Sequence, residues 1–125
     1  MLFDTDVLIW VLRGNIKAAK IIDGAEAGAV SVVTFMELLQ GARGRTEVHA
    51  IKSFLADMRI ATLPLTENIG HRASIYMEEY GPSVSMSVAD ALIASTAVEA
   101  NEELTTGNDR HYRPIKELSL KRFRP

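Results

Sequence analysis

Four carboxylates in this chain of 125 residues stand where their surroundings point to chemistry: Asp4, Glu37, Asp90 and Asp109. Asp4 closes the apolar run Met1-Leu2-Phe3, Glu37 and Asp90 open helical patterns, and Asp109 follows a short strand-like stretch at residues 103–105. Two carboxylates ~4 Å apart repel by about 4 kcal/mol at an effective dielectric near 20, so three or four brought together must protonate, move apart or bind a cation. The chain has no cysteine, which leaves oxygen and nitrogen ligands and favours a hard ion such as Mg²⁺ or Mn²⁺. The chemistry that such all-oxygen sites serve is attack of activated water on a phosphodiester, the hydrolysis of nucleic acid.

Each acid except the first also has a local explanation. Thr34-Phe35-Met36-Glu37 and Ser87-Val88-Ala89-Asp90 both fit the capping box, in which the acid at the third helical position accepts from the amide of the cap residue. Asp109 in Gly107-Asn108-Asp109 fits an ordinary turn. Asp4 has no local donor visible in the sequence, and burying its charge after an apolar strand is costly unless something pairs with it.

The elements that must position these acids follow from hydrophobic spacing. Short apolar runs at Met1–Phe3, Ala29–Val32 and Ile60–Leu63 read as strands, with Glu103–Thr105 as a further short one and Ile115–Leu120 as a candidate last one. Between them, Val7–Leu12, Ile16–Ala27, Thr34–Gly41, Glu47–Met58, Thr66–Tyr80 and Ser87–Ala100 carry helical spacing, and Gly81-Pro82 is expected to end the fifth of these helices. Alternating short strands and helices predict an α/β fold with a parallel sheet covered on both faces. In such a sheet the ligand site lies beyond the carboxyl ends of the strands, where helix N-termini also point. All four acids fall at those junctions. No repeat or linker interrupts the pattern, so one domain is expected.

Composition agrees with a globular chain, with 47% hydrophobic and 24% charged residues and a formal charge of −2. The charge is uneven: from Arg110 onward six basic residues (Arg110, Arg113, Lys116, Lys121, Arg122, Arg124) face Glu117 alone, and Arg43 and Arg45 form a second, weaker basic spot. Either stretch suits phosphate contact or plain solvation. The apolar run Val7–Leu12 is too short to span a membrane and lacks a basic leader, so a cytoplasmic protein with no membrane partner is expected.

Four segments in register resemble a known family. Leu2-Phe3-Asp4-Thr5-Asp6-Val7-Leu8-Ile9, Ser31-Val32-Val33-Thr34-Phe35-Met36-Glu37-Leu38-Leu39-Gln40-Gly41, Ala89-Asp90-Ala91-Leu92-Ile93-Ala94-Ser95-Thr96-Ala97 and Leu104-Thr105-Thr106-Gly107-Asn108-Asp109-Arg110-His111-Tyr112 look like the PIN domain, and within it the toxins of VapBC toxin–antitoxin modules. Together they span nearly the whole chain. The resemblance implies a three-layer α/β/α fold over residues 1–125, dependence on Mg²⁺ or Mn²⁺, endoribonuclease activity on an RNA substrate, a homodimer and a cognate antitoxin. By motif position it implies Asp4, Glu37 and Asp90 as metal-binding catalytic acids. Asp109 is the expected fourth, with Asn108 as the competing assignment. Asp6 stands where the family often has Ser or Asn and is read as a supporting group, while Thr5 and Thr106 orient the acids or a phosphate. Arg43, Arg45 and Arg110 are the expected RNA contacts.

Two rival readings accompany it. Asp4-Thr5-Asp6 after an apolar strand also resembles the nucleophile and acid/base pair of haloacid dehalogenase phosphatases, although no matching lysine motif or paired downstream acids follow. The other rival is a non-catalytic binding module of PIN-like fold, against which the joint presence of Asp4, Glu37 and Asp90 argues.

Overall fold

The computed structural model describes residues 1–125. Five strands form one parallel sheet in the order β3-β2-β1-β4-β5, from β1 (Leu2–Phe3), β2 (Ala29–Ser31), β3 (Ala61–Leu63), β4 (Leu104–Thr106) and β5 (Leu120–Arg122). Seven helices connect and cover them: α1 (Thr5–Leu12), α2 (Ile16–Asp23), α3 (Val32–Gln40), α4 (Arg45–Asp57), α5 (Glu67–Val84), α6 (Val88–Glu99) and α7 (Asp109–Tyr112).

Successive strand residues point to opposite faces, and the two cores divide on that alternation. Leu2, Ala29 and Leu104 pack with Ala73 and Tyr76 of α5 and with Ala91, Ile93, Ala94 and Ala97 of α6. Phe3 and Val30 pack with Val7 and Leu8 of α1, Ala18 and Ile22 of α2, and Ile51 and Leu55 of α4. The result is the expected three-layer α/β/α arrangement.

The chain moves outward from β1 through β2 to β3, then crosses to the other side of β1 for β4 and β5. That reversal makes the gap between β1 and β4 the sheet's topological switch point, where a crevice opens at the strand ends. Leu2 pairs with Leu104 and Phe3 with Thr105, so the register brings the next residues, Asp4 and Thr106, level with each other.

Three local expectations change. α5 runs through Gly81-Pro82 to Val84 and ends at Ser85, whose φ of 54° is left-handed. Proline's fixed φ suits a helix, and near the end of α5 its missing N–H and ring disturb less of the hydrogen-bond ladder than they would at mid-helix. The last strand is Leu120–Arg122 rather than Ile115–Leu120, because Ile115 and Leu118 are spent on turns that bury both side chains. α3 begins three residues earlier than the capping-box reading required: Ser31 is its N-cap, its hydroxyl accepting from the Val33 amide at 3.1 Å. Thr34 is thereby left inside the helix, fully buried, and the Thr34–Glu37 capping box does not form.

Candidate active site at the ends of the central strands

Asp4 is the N-cap of α1, set there because β1 ends after two residues and the helix starts at once. Its Oδ1 accepts from the Thr5 amide at 2.8 Å, while its Oδ2 accepts from the Thr106 hydroxyl at 2.7 Å and the Tyr112 hydroxyl at 3.1 Å. The residue is 6% exposed. Burial, with the nearby charge of Asp6, pushes its carboxyl from the ordinary 3.8 up to about 7, against the opposing pull of those donors.

Asp90 reaches the same place from the first turn of α6. Its capping box with Ser87 does form, the Ser87 hydroxyl accepting from the Asp90 amide at 3.0 Å. The cap does not exhaust the carboxylate. Asp90 Oδ1 accepts from Tyr112 at 3.2 Å, and Oδ2 lies 3.2 Å from His111 Nδ1. Tyr112 therefore stands between two carboxylates with one proton to donate. Its side chain is fully buried, and burial and the charges of Asp4 and Asp90 raise its phenol far above the ordinary 10.

Glu37 joins through Thr5, whose hydroxyl donates to Glu37 Oε1 at 2.7 Å and lies 2.9 Å from that of Thr34. Freed from a capping role by the early start of α3, Glu37 points from an exposed helix position toward the end of β1. Asp6 docks on the other side, its Oδ2 accepting from the Gly107 amide at 2.9 Å while its Oδ1 is shielded from solvent and has no partner. Burial foremost, and the charge of Asp90, raise the Asp6 carboxyl above its ordinary value.

Asp109 is placed differently. Its carboxylate faces Arg113 at 3.4 Å and Arg122 at 3.8 Å and makes no hydrogen bond to the group around Asp4. Asn108 gives its backbone amide to the Thr106 hydroxyl at 2.9 Å, and its exposed side chain caps nothing. Arg43, Arg45 and Arg110 are all exposed, and Arg43 lines a groove of about 520 Å³ together with Ile9, Leu12, Arg13 and Glu37.

The electrostatic pattern is one-sided. None of the ion pairs in the molecule joins a lysine or arginine to Asp4, Asp6, Glu37 or Asp90; the one basic partner is His111, beside Asp90. As the side chains stand, no three of these groups converge as a closed ligand set. The donor set is nevertheless carboxylate oxygen on a shared strand-end surface, with one buried oxygen, Asp6 Oδ1, lacking any donor. Those features fit a hard divalent cation.

Comparison with known proteins gives the family and the fold. The PIN domain family model matches residues 1–117. The chain belongs to the PIN domain family. A relative described as Ribonuclease VapC19, from Mycobacterium tuberculosis, is 32% identical over 122 residues, covering 94% of this chain and 95% of its own. Among solved structures, a toxin–antitoxin complex from Klebsiella pneumoniae superposes with a TM-score of 0.79 at 25% identity, over 94% of this chain and 93% of that one. VapBC2 from Rickettsia felis, bound to a promoter DNA fragment, superposes with a TM-score of 0.81 at 17% identity over 98% of each chain, a likeness of fold. With the PIN family shown, the phosphatase reading of Asp4 and Asp6 falls.

Sequence reasoning missed Tyr112 and gave His111 no partner. The available signal was a tyrosine amid a short polar run after β4, since a buried tyrosine hydroxyl needs a polar partner.

Proposed function

We propose that this protein is a divalent-metal-dependent endoribonuclease of the VapC kind, in which Asp4, Glu37 and Asp90 hold Mg²⁺ or Mn²⁺ at the switch point of the sheet. The observation that carries this reading is the meeting of Asp4 and Asp90 across the Tyr112 hydroxyl at the crevice between β1 and β4, with no lysine or arginine to neutralise them. Bound there, the cation supplies an activated water and charge stabilisation for phosphodiester hydrolysis. The remaining work belongs to the chain. Thr106 and the Thr5 amide fix the Asp4 carboxylate, the Thr5 hydroxyl orients Glu37, and the Ser87 cap fixes the backbone that presents Asp90. The groove bearing Arg13 and Arg43 runs up to Glu37, and it is the route by which the sugar–phosphate strand of RNA reaches the acids. Arg45 and Arg110, exposed near the starts of α4 and α7, extend the phosphate contact.

The partner is a cognate antitoxin, as in the toxin–antitoxin complexes of similar fold, and the working form is a homodimer in the cytoplasm. No helix is long and apolar enough to cross a membrane. Exposed Met36 (50%) and Val88 (62%) are available to a subunit interface, whereas Tyr76 belongs to the core. Sedimentation of the purified chain checks the dimer.

Cleavage of a labelled single-stranded RNA in Mg²⁺ or Mn²⁺ tests the activity. Asp4→Asn and Asp90→Asn are each expected to lower the rate by ~10²-fold or more, the scale lost when a group stabilising transition-state charge is removed. Undiminished cleavage by either folded variant overturns the assignment.

A further inference from the structure

The fourth carboxylate of the site is open, because the acid expected from the chain's last motif is already neutralised. Asp109 gives one oxygen to Arg113 at 3.4 Å and the other to Arg122 at 3.8 Å. We propose that Asp6, rather than Asp109, supplies the fourth carboxylate ligand to the cation held by Asp4, Glu37 and Asp90, an inference that rests on the metal-dependent reading above.

Two features of the fold carry it. Asp4 and Asp6 dock against consecutive residues at the end of β4: Asp4 Oδ2 takes the Thr106 hydroxyl at 2.7 Å, and Asp6 Oδ2 takes the Gly107 amide at 2.9 Å. One oxygen of Asp6 is thus pinned beside the site while the other, Oδ1, is sheltered from water and bonded to nothing. A buried carboxylate oxygen without a donor is unfavourable in the isolated fold and is satisfied by a ligand. Second, glycine leaves the space in which Asp6 is seated. A Cβ at position 107 would lie 2.7 Å from Asp6 Oδ2, so the backbone can approach the carboxylate this closely only because no side chain intervenes. Asp109, by contrast, leans on two guanidinium groups from α7's own end and from β5, a surface clasp that fastens the last strand.

The rival role for Asp6 is a pure buttress of the turn at Gly107. Asp6→Asn separates the two, since an amide oxygen still accepts from the Gly107 N–H while the charge is gone. Calorimetric titration of the whole chain with Mn²⁺ alone is the test, on the wild type, Asp6→Asn, Asp109→Asn and Gly107→Ala. The expected result is Mn²⁺ binding weakened tenfold or more by Asp6→Asn, on the scale of lost metal-site contacts. Asp109→Asn is expected to stay within twofold of wild type. Gly107→Ala, which displaces the Asp6 carboxylate without touching its charge, is expected to weaken Mn²⁺ binding as well and serves in place of Asp6→Asn should that variant fold poorly. Wild-type affinity in Asp6→Asn, or an equal loss in Asp109→Asn, overturns the proposal and leaves the metal-dependent reading standing. Absence of Mn²⁺ binding by the wild type overturns both.

Discussion

Two polar clusters mark the two ends of α6, and they are built on opposite rules. At its C-terminal end Glu99 and Glu117 share Arg72, at 2.6 Å from Nη2 and 2.7 Å from Nη1, and the Tyr76 hydroxyl completes the group by donating to Glu117. Each carboxylate there faces the Arg72 guanidinium. Glu117 is held below the usual carboxylate range by the Tyr76 hydroxyl and the Arg72 guanidinium. At the N-terminal end Asp90 meets Asp4, with Asp6 beside them, and the shared donor is a neutral phenol. Here burial drives Asp4 the other way, up to about 7. A cluster that only ties α5, α6 and the approach to β5 together pairs its charges internally. One that leaves carboxylates facing each other across a hydroxyl leaves their repulsion uncompensated, which the proposed cation would relieve.

The largest effect expected from this contrast is a pH dependence of stability in metal-free protein. Unfolded, the Asp4 carboxyl ionises near 3.8; folded, it holds its proton to about 7. Between those values the folded state keeps a proton that the unfolded state has lost, so stability falls as pH rises through the window and levels off above it. The raised carboxyl corresponds to a loss on the order of 4 kcal/mol. Asp4→Asn removes the group that titrates. Thermal unfolding in chelator from pH 4 to 8 should show the wild type losing stability across this range, and Asp4→Asn losing less and melting higher than wild type above pH 7. Parallel curves for the two proteins would mean that Asp4 is as well compensated as Glu117.

A smaller effect is expected at the hydroxyl that links the acids. Tyr112→Phe keeps the buried ring and deletes the only donor that Asp4 and Asp90 share. Leaving buried acceptors short of a donor costs about 1–3 kcal/mol. Urea unfolding should show that loss in chelator, and a smaller one in Mn²⁺, where the cation takes over the compensation. An equal loss in both conditions would assign Tyr112 to packing and fold alone.

How much of this was legible in the sequence depends on the range over which each feature is determined. The alternation of strands and helices, and the place of Asp4 at the end of the first strand, come from local patterning and stand. The boundaries that moved were settled by tertiary context. Val32-Val33 look like strand residues by their branching, yet Ser31 caps a helix there, and that shift turned Glu37 from a cap into a side chain tied to Thr5. Asp90 shows that a capping pattern and a site are compatible, because its carboxylate accepts from the Ser87 amide at 3.5 Å and still reaches Tyr112 and His111. Asp109 and Asp6 were beyond local reading: one is taken up by Arg122 from β5, the other is seated on Gly107, some hundred residues away. Both placements depend on the strand order, which sets β4 between β1 and β5.

The smallest effect belongs to the paired cluster, and it tests the contrast from the other side. Arg72 is partly exposed and its pairs are solvent-screened, so Arg72→Ala is expected to cost only about 1 kcal/mol, the upper range for surface ion pairs. Part of that loss comes from Glu99, an acid at the C-terminus of α6, where the helix dipole disfavours negative charge once Arg72 is gone. RNA cleavage and Mn²⁺ affinity should stay within twofold of wild type, because α6 is held against the sheet by Ala91, Ile93, Ala94 and Ala97 and not by this clasp. Unfolding in urea gives the first quantity, and cleavage rate with Mn²⁺ titration gives the others. A large fall in metal affinity would show that the far end of α6 sets the position of Asp90, and the two clusters would then be one device rather than two.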